Sequence, residues 1–346
     1  MRKKPFSLAG LIAAMAVACL MMTIPGCGEK PQQEVTGTQE APADTAAEKL
    51  PDEITLDFAT YNLLSLVLNE HGFLEEEFKN DNVKINWVFS QGGNKSMEFL
   101  MSGSADFASG AGVASLISFI NGNPINTIYR VNTEELSLMV NNDSPIKELS
   151  ELKGKSIAAT PGTNPYIFMV RALALENLTL KDITVVPLQH PDGKNELLRG
   201  RVDAWAGLEP LQSQATLEGA RYLYRNIDYT THVVLSVRSE FAQEYPDAVV
   251  RVLKAYERAR KWAIDNPEKY QELISRKSKI TPEVTKMQLE KYLVDIESTP
   301  DDLEPLLVAT EDALRQLEIL KEGQDIKEIV GRLIDNSYYN KLKSTE

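Results

Sequence analysis

Hydrophobic and polar positions follow two alternating periods along this chain. Ile54, Leu56 and Phe58 recur every second residue, the spacing of a half-buried strand, and lead into an apolar helical stretch from Leu63 to His71 closed by Gly72. Val83, Ile85, Trp87 and Phe89 alternate again. Lys95 to Ser102 predicts a helix ending at Gly103, and Asp106 to Ala108 a short buried strand ending in the glycine-rich Ser109-Gly110-Ala111-Gly112. The cycle then repeats: a strand over Ser156 to Ala159, a helix over Thr163 to Glu176, a strand over Ile183 to Pro187, and a helix over Pro191 to Arg199 ending at Gly200. This is α/β order with short crossovers.

One stretch echoes another. Leu100, Gly103, Asp106 and Gly110 recur at the same spacing as Leu197, Gly200, Asp203 and Gly207, as two related lobes would require. In each copy the glycine ends a helix in the left-handed conformation, and a short strand carries the chain to a turn at the carboxyl edge of a sheet. After a strand over His232 to Val237 the pattern becomes helical, with starts at Pro246, Pro267, Thr281-Pro282 and Thr299-Pro300. These helices are expected to wrap back onto the first lobe, with Tyr256, Trp262 and Tyr270 in their core.

The N-terminus belongs to no such pattern. Arg2, Lys3 and Lys4 precede an uncharged apolar run from Leu8 to Ile24, the layout of an export signal; a short membrane anchor is the alternative reading. Ile24-Pro25-Gly26-Cys27 resembles a bacterial lipobox, which marks Cys27 as the lipidation site, with Pro25 a departure from the usual residue there. From Gly28 to Asp52 the chain lacks aromatic residues and is rich in Glu, Gln, Thr, Ala and Pro, a tether composition.

Composition narrows the chemistry. The chain of 346 residues is long enough for two domains, and its net charge of -13 without a clustered basic face argues against nucleic acid. Its two cysteines are Cys19 and Cys27, so the chain beyond Cys27 has no disulfide, thiol nucleophile or thiolate metal site. His71, His190 and His232 stand in dissimilar contexts and suggest no metal site, and Gly110-Ala111-Gly112 lacks the third glycine of a dinucleotide turn. No cofactor is expected.

Four segments resemble a known family: Ser144-Pro145-Ile146 through Lys153-Gly154-Lys155-Ser156-Ile157-Ala158; Thr160-Pro161-Gly162-Thr163-Asn164-Pro165; Gly200-Arg201-Val202-Asp203-Ala204-Trp205 running to Glu209-Pro210; and Ser239-Glu240-Phe241 with Tyr245-Pro246. From Ile54 to about Pro267 the chain is similar to the nitrate, sulfonate and taurine-binding branch of the type II periplasmic binding proteins. That resemblance implies a two-lobed Venus flytrap with a helical C-terminal extension, one lobe from 54–135 plus 232–346 and the other from 136–231. It further implies a receptor that passes a small anion, an aliphatic sulfonate or taurine, to an ABC permease and its ATPase; nitrate or thiamin-precursor binding, and an enzyme of the related thiamin-pyrimidine branch, are the alternatives.

Helix N-termini can hold an anion without a basic side chain, and three turns offer them. They are Ser90 to Asn94, including Gln91 and Gly92; Ser109 to Gly112, including Gly110; and Gly162-Thr163-Asn164. Self-capping is the competing role for their Ser, Thr and Asn side chains. Tyr61 and Trp205 are candidates to wall the ligand's apolar part or to sit in the core. Glu209 is a candidate partner for an ammonium group or, equally, a first-turn helix acid. Arg130, near the first lobe crossing, adds charge to the cleft or forms a salt bridge between lobes.

Overall fold

The computed structural model describes residues 49–293 and 302–345. Cys27, the leader, most of the tether and the Thr299-Pro300 helix start lie outside these residues. The chain enters through β1 (Glu53–Phe58), β2 (Lys84–Phe89), β3 (Phe107–Ala111) and β4 (Ile125–Glu134). It crosses to a second sheet made of β5 (Ser137–Asn141), β6 (Ser156–Ala159), β7 (Thr184–Pro187), β8 (Ala204–Gly207) and β9 (Ala220–Arg225). It then returns as β10 (Val233–Arg238) and adds β11 (Tyr292–Leu293) at the edge of the first sheet.

The strand orders are β11-β4-β10-β3-β1-β2 and β7-β6-β8-β5-β9. Read from β2 and from β7, each sheet has three parallel strands followed by antiparallel ones, so the two lobes share one plan. This is the α/β, two-lobed fold of the type II periplasmic binding proteins, with a helical C-terminal region.

The sequence echo has a physical counterpart. Asp106 Oδ2 accepts a hydrogen bond from the Thr55 amide at 2.9 Å, and Asp203 Oδ2 accepts one from the Ser156 amide at 2.8 Å. The same residues also donate from their own backbones, Asp106 to Thr55 O and Asp203 to Ser156 O. Each aspartate thus pins the start of its strand to the neighbouring parallel strand, while Leu100 and Leu197 are buried beneath. The last glycine of each copy differs: Gly110 lets the backbone of Gly93 approach, whereas a Cβ on Gly207 would fall 2.1 Å from the Trp205 ring.

Three strands lack a clean alternating pattern. β4, β5 and β9 carry buried polar residues or interrupted registers, and β10 pairs with β4 through two register shifts. The predicted strand at Asp106 to Ala108 extends through the glycine-rich turn to Ala111, because Ser109 and Gly110 pair with Leu235 and Val234 of β10.

The C-terminal helices grip both lobes rather than the first alone. Helix Pro246–Asp265 lies on helices Leu63–His71 and Phe73–Glu77 of the first lobe, with Tyr256 and Tyr270 buried and Trp262 against His71. Helix Glu311–Gln316, by contrast, packs on Asn164–Ala174 of the second. Arg130 is buried and pairs with Asp302 of this extension, so it links two parts of the chain instead of lining the cleft.

Lys291 reaches the second lobe directly. Its Nζ lies 2.5 Å from Glu209 Oε1 and also donates to Ser213 Oγ at 2.9 Å and Tyr222 OH at 2.6 Å, while the next residue, Tyr292, pairs with Glu134 of β4. Glu209 is fully buried, so deleting its partner strands a charge in low dielectric. Lys291→Met is expected to lower stability by about 3–5 kcal/mol in denaturant unfolding, and adding Glu209→Gln to it should recover most of that loss. A single-variant loss within about 0.5 kcal/mol of zero, the range of ordinary surface substitutions, would show that the pair does not fasten the extension.

Candidate functional site

A cleft between the two sheets collects most of the predicted residues. Its inner cavity, about 20 Å³, is lined by Tyr61, Gly93 and Glu134 from the first lobe and Thr163, Asn164 and His190 from the second. Ala111, Ala114, Leu208 and Val233 supply apolar wall. That volume holds about one water molecule, so the lobes are closed on each other. A groove of about 200 Å³ continues from it past Tyr61, His190 and Leu208 and is bordered by Phe89, Gln91, Leu211 and Ile280.

Three helices begin at this cavity, and none is capped by its own side chain: Gly93–Ser102 after Gly92, Asn164–Ala174 after Thr163, and His190–Leu198 after Gln189. An α-helix leaves its first N–H groups without internal partners, so three positive helix ends meet in a small volume. Thr163 shows this most directly. Its hydroxyl donates to Thr160 O at 2.7 Å instead of accepting from its helix. Elsewhere in the chain Asn62, Thr281 and Asp325 do cap their helices. Gly162 adopts φ 75°, which sets the turn, and its nearest neighbour across the cleft is the Asn94 side chain.

The turn at Ser109 to Gly112 is closed off. The Gly112 amide bonds Thr231 O and His232 O, and Thr231 Oγ1 accepts from the Val113 amide, so that helix start is capped from the second lobe crossing. Ser109 faces inward: its amide and hydroxyl both donate to Asp57 Oδ1, at 2.7 and 3.0 Å. Ser109 and Gly110 support the site without lining it.

Asp57 is wholly buried, and burial pushes its carboxyl up to about 7 against the opposing pull of Ser90 and Ser109. Tyr61 OH donates to Ser109 O at 3.0 Å and lies 2.9 Å from Ser90 Oγ, which donates to Asp57 Oδ2 at 2.6 Å. The result is a Tyr61 ring fixed in the cavity wall.

Of the two places open to each, Trp205 takes the core and Glu209 the head of a helix. Trp205 is fully buried in the second lobe's core, against Gly193 and Gly207, and borders neither space. Glu209 borders the groove, but its carboxylate is engaged by Lys291 and by the Ser213 amide. Gln91 lines the groove, and Gly92 lies beside His190.

Two residues of the site escaped sequence reasoning. His190 starts the third helix and is 1% exposed; burial holds its imidazole down at about 3, so the ring is neutral. Glu134, at the end of β4, is 3% exposed, and burial first, then the charge of Glu209, raises its carboxyl to about 7, with the Tyr292 hydroxyl bond opposing. The Gln189-His190-Pro191 step reads as a helix start with proline in the first turn, which was the available clue. Glu134 had none.

Similarity to known proteins converges on the same architecture. A Bacillus subtilis (strain 168) protein named "Putative aliphatic sulfonates-binding protein" is 27% identical over 285 residues, 80% of this chain and 83% of its own length. The alkanesulfonate-binding protein SsuA from Xanthomonas axonopodis pv. citri, solved bound to MOPS, superposes with TM-score 0.75 at 22% identity, covering 84% of this chain and all (100%) of the other. The periplasmic aliphatic sulphonate binding protein SsuA from Escherichia coli gives TM-score 0.71 at 21% identity, over 83% of this chain and 94% of the other. The model of the family described as NMT1/THI5 like matches residues 64–270, the span that builds nearly all of both sheets and the cleft between them, and the chain belongs to that family.

Proposed function

We propose that this chain is the extracytoplasmic binding protein of an ABC importer, tethered by lipid on Cys27, and that its cleft captures an aliphatic sulfonate. The observation that carries this reading is the meeting of three uncapped helix N-termini in one interlobe cavity that no Lys or Arg lines. Backbone N–H groups and helix dipoles bind a tetrahedral anion without the desolvation cost of a buried side-chain cation. The adjoining groove, bordered by Phe89, Leu208, Leu211 and Ile280, suits an aliphatic tail.

The two lobes and the crossings between them suit a receptor that reports its ligand by closing. The chain passes between the lobes at 135–136 and again at 226–232, and a ligand that touches both lobes favours the closed form over the open one. That difference is what permease subunits can read. The relatives named for sulfonate binding support the ligand class, and MOPS in the Xanthomonas structure is itself a sulfonate. The chain beyond Cys27 carries no thiol nucleophile.

Isothermal titration calorimetry of the purified protein with C2 to C5 alkanesulfonates, aminoalkanesulfonates and nitrate is the direct test. A sulfonate is expected to bind at micromolar Kd or tighter, on the order of −8 kcal/mol. Binding of nitrate with no sulfonate response would overturn the ligand class. Asn164→Asp is isosteric and keeps the acceptor for Thr231 Oγ1, but gives up the Nδ2 donor to Thr230 Oγ1 and places a buried carboxylate in a first helical turn. Its melting temperature is expected to fall, because burying the charge outweighs the helix-end gain of about 0.3–1 kcal/mol, while the protein stays folded and anion affinity falls at least about tenfold. Unchanged affinity would remove this helix end from the site.

A further inference from the structure

The inner cavity presents two kinds of surface. Beside the helix N-termini stand acceptors with no donor to meet them. His190 Nε2 is buried and makes no hydrogen bond. Its tautomer follows from its neighbour: Thr160 donates its single hydroxyl proton to Leu188 O at 2.7 Å, so the Nδ1 contact at 3.3 Å requires Nδ1 to carry the hydrogen. Nε2 is then a bare lone pair, and it borders both the cavity and the groove.

Glu134 is the second such group. Tyr292 OH donates to Oε2 at 2.8 Å, and among the described residues no other hydrogen bond or ion pair reaches the carboxyl, leaving Oε1 to the cavity. The nearby ammonium of Lys291 is taken by Glu209, Ser213 and Tyr222. A cavity meant for a bare anion gains nothing from a carboxylate and a lone pair in its wall, since both repel it. Asp57, also buried without a cation, has serine donors on both oxygens, whereas Glu134 keeps one oxygen unbonded at the cavity wall, where a donor arriving from outside can meet it.

We infer that the ligand is a zwitterion: its anionic head rests on the helix N-termini, and a protonated amine elsewhere on the same small molecule donates to Glu134 Oε1 and His190 Nε2. This rests on the sulfonate reading above and narrows it to aminoalkanesulfonates. The acid that meets the ammonium is Glu134, not Glu209, whose charge Lys291 already balances. Burial draws the Glu134 carboxyl up, and an ammonium placed beside it would draw it back down, so the bound amine and the carboxylate stabilise each other.

Matched ligand pairs test the inference on the unaltered protein. In each pair the ammonium is replaced by a methyl group of similar size: taurine against propane-1-sulfonate, and homotaurine against butane-1-sulfonate, titrated calorimetrically at pH 8. At least one amine is expected to bind about tenfold or more tighter than its methyl counterpart, because the methyl ligand leaves the buried acceptors unpaired. Glu134→Gln is expected to bring that ratio within about threefold of unity. His190→Phe, which fills the space without a lone pair, should reduce the ratio as well.

Methyl members that bind as tightly as the amines in both pairs would overturn the inference and leave the sulfonate reading standing. An amine preference that survives undiminished in both variants would overturn the assignment of Glu134 and His190. Failure of all four ligands to bind would overturn the sulfonate reading and this inference together. The wild-type comparison stands even if a variant does not fold.

Discussion

The first lobe's side of the cleft depends on one buried carboxyl group. Asp57 lies near the carboxyl end of β1, between β2 and β3, where the two following turns begin with Ser90 and Ser109. Both serines bond to it, and Tyr61 bonds to both serines. Four residues from three separate stretches of the chain are thereby fixed within one network, and the Gly93 helix start is held where it opens on the cavity. Burying a carboxyl costs several kcal/mol if it is charged and unpaired. A carboxyl drawn up by burial and bonded by serine donors lowers that cost without placing a cation in the cleft.

Much of this architecture was legible because the elements are punctuated. Gly72 and Gly103 end their helices at φ 62° and 70°, and the prolines at 246, 267 and 282 start helices where the sequence placed them. Of the strands that escaped, β4 is the longest and the one richest in buried polar residues. β4 buries Thr127, Arg130, Asn132, Thr133 and Glu134, so the alternation of hydrophobic and polar positions that marks a half-exposed strand is absent. The site behaved similarly. Its backbone donors could be read from turn chemistry, since glycine and a helix start are local properties. Trp205, Glu209 and Glu134 could not be placed, because whether an aromatic or an acid faces a cavity or a core is decided by partners such as Gly193, Lys291 and Tyr292 that are distant in sequence.

The same distance explains the grip of the C-terminal extension on both lobes. Helical amphipathicity predicts that a face is buried but not against what. Helix Glu311–Gln316 finds the second lobe through residues such as Ala309 and Ala313 beside Val170 and Ala174. Lys291 finds it through one ion pair. The extension thus contacts both lobes, in addition to packing Leu303 and Leu307 against the Gly112 helix start of the first.

The crossings between lobes are stitched into one belt, and this reconciles a buried ion pair with a cleft that must open. Thr133 Oγ1 meets His232 Nδ1 at 2.8 Å, joining the end of β4 to the start of β10. Tyr292 joins β11 to Glu134 at the same end of β4. Lys291, one residue before, carries the third connection into the second lobe. A cavity of about 20 Å³ admits a ligand only if the lobes part, and a rotation moves atoms in proportion to their distance from its axis. All three connections gather at the end of β4, so a hinge placed there would leave Lys291 and Glu209 in contact. Rupturing that pair would cost about 3–5 kcal/mol on every opening, comparable to what a modest ligand returns on closing; a hinge that spares it leaves the binding energy for the ligand to discriminate between open and closed.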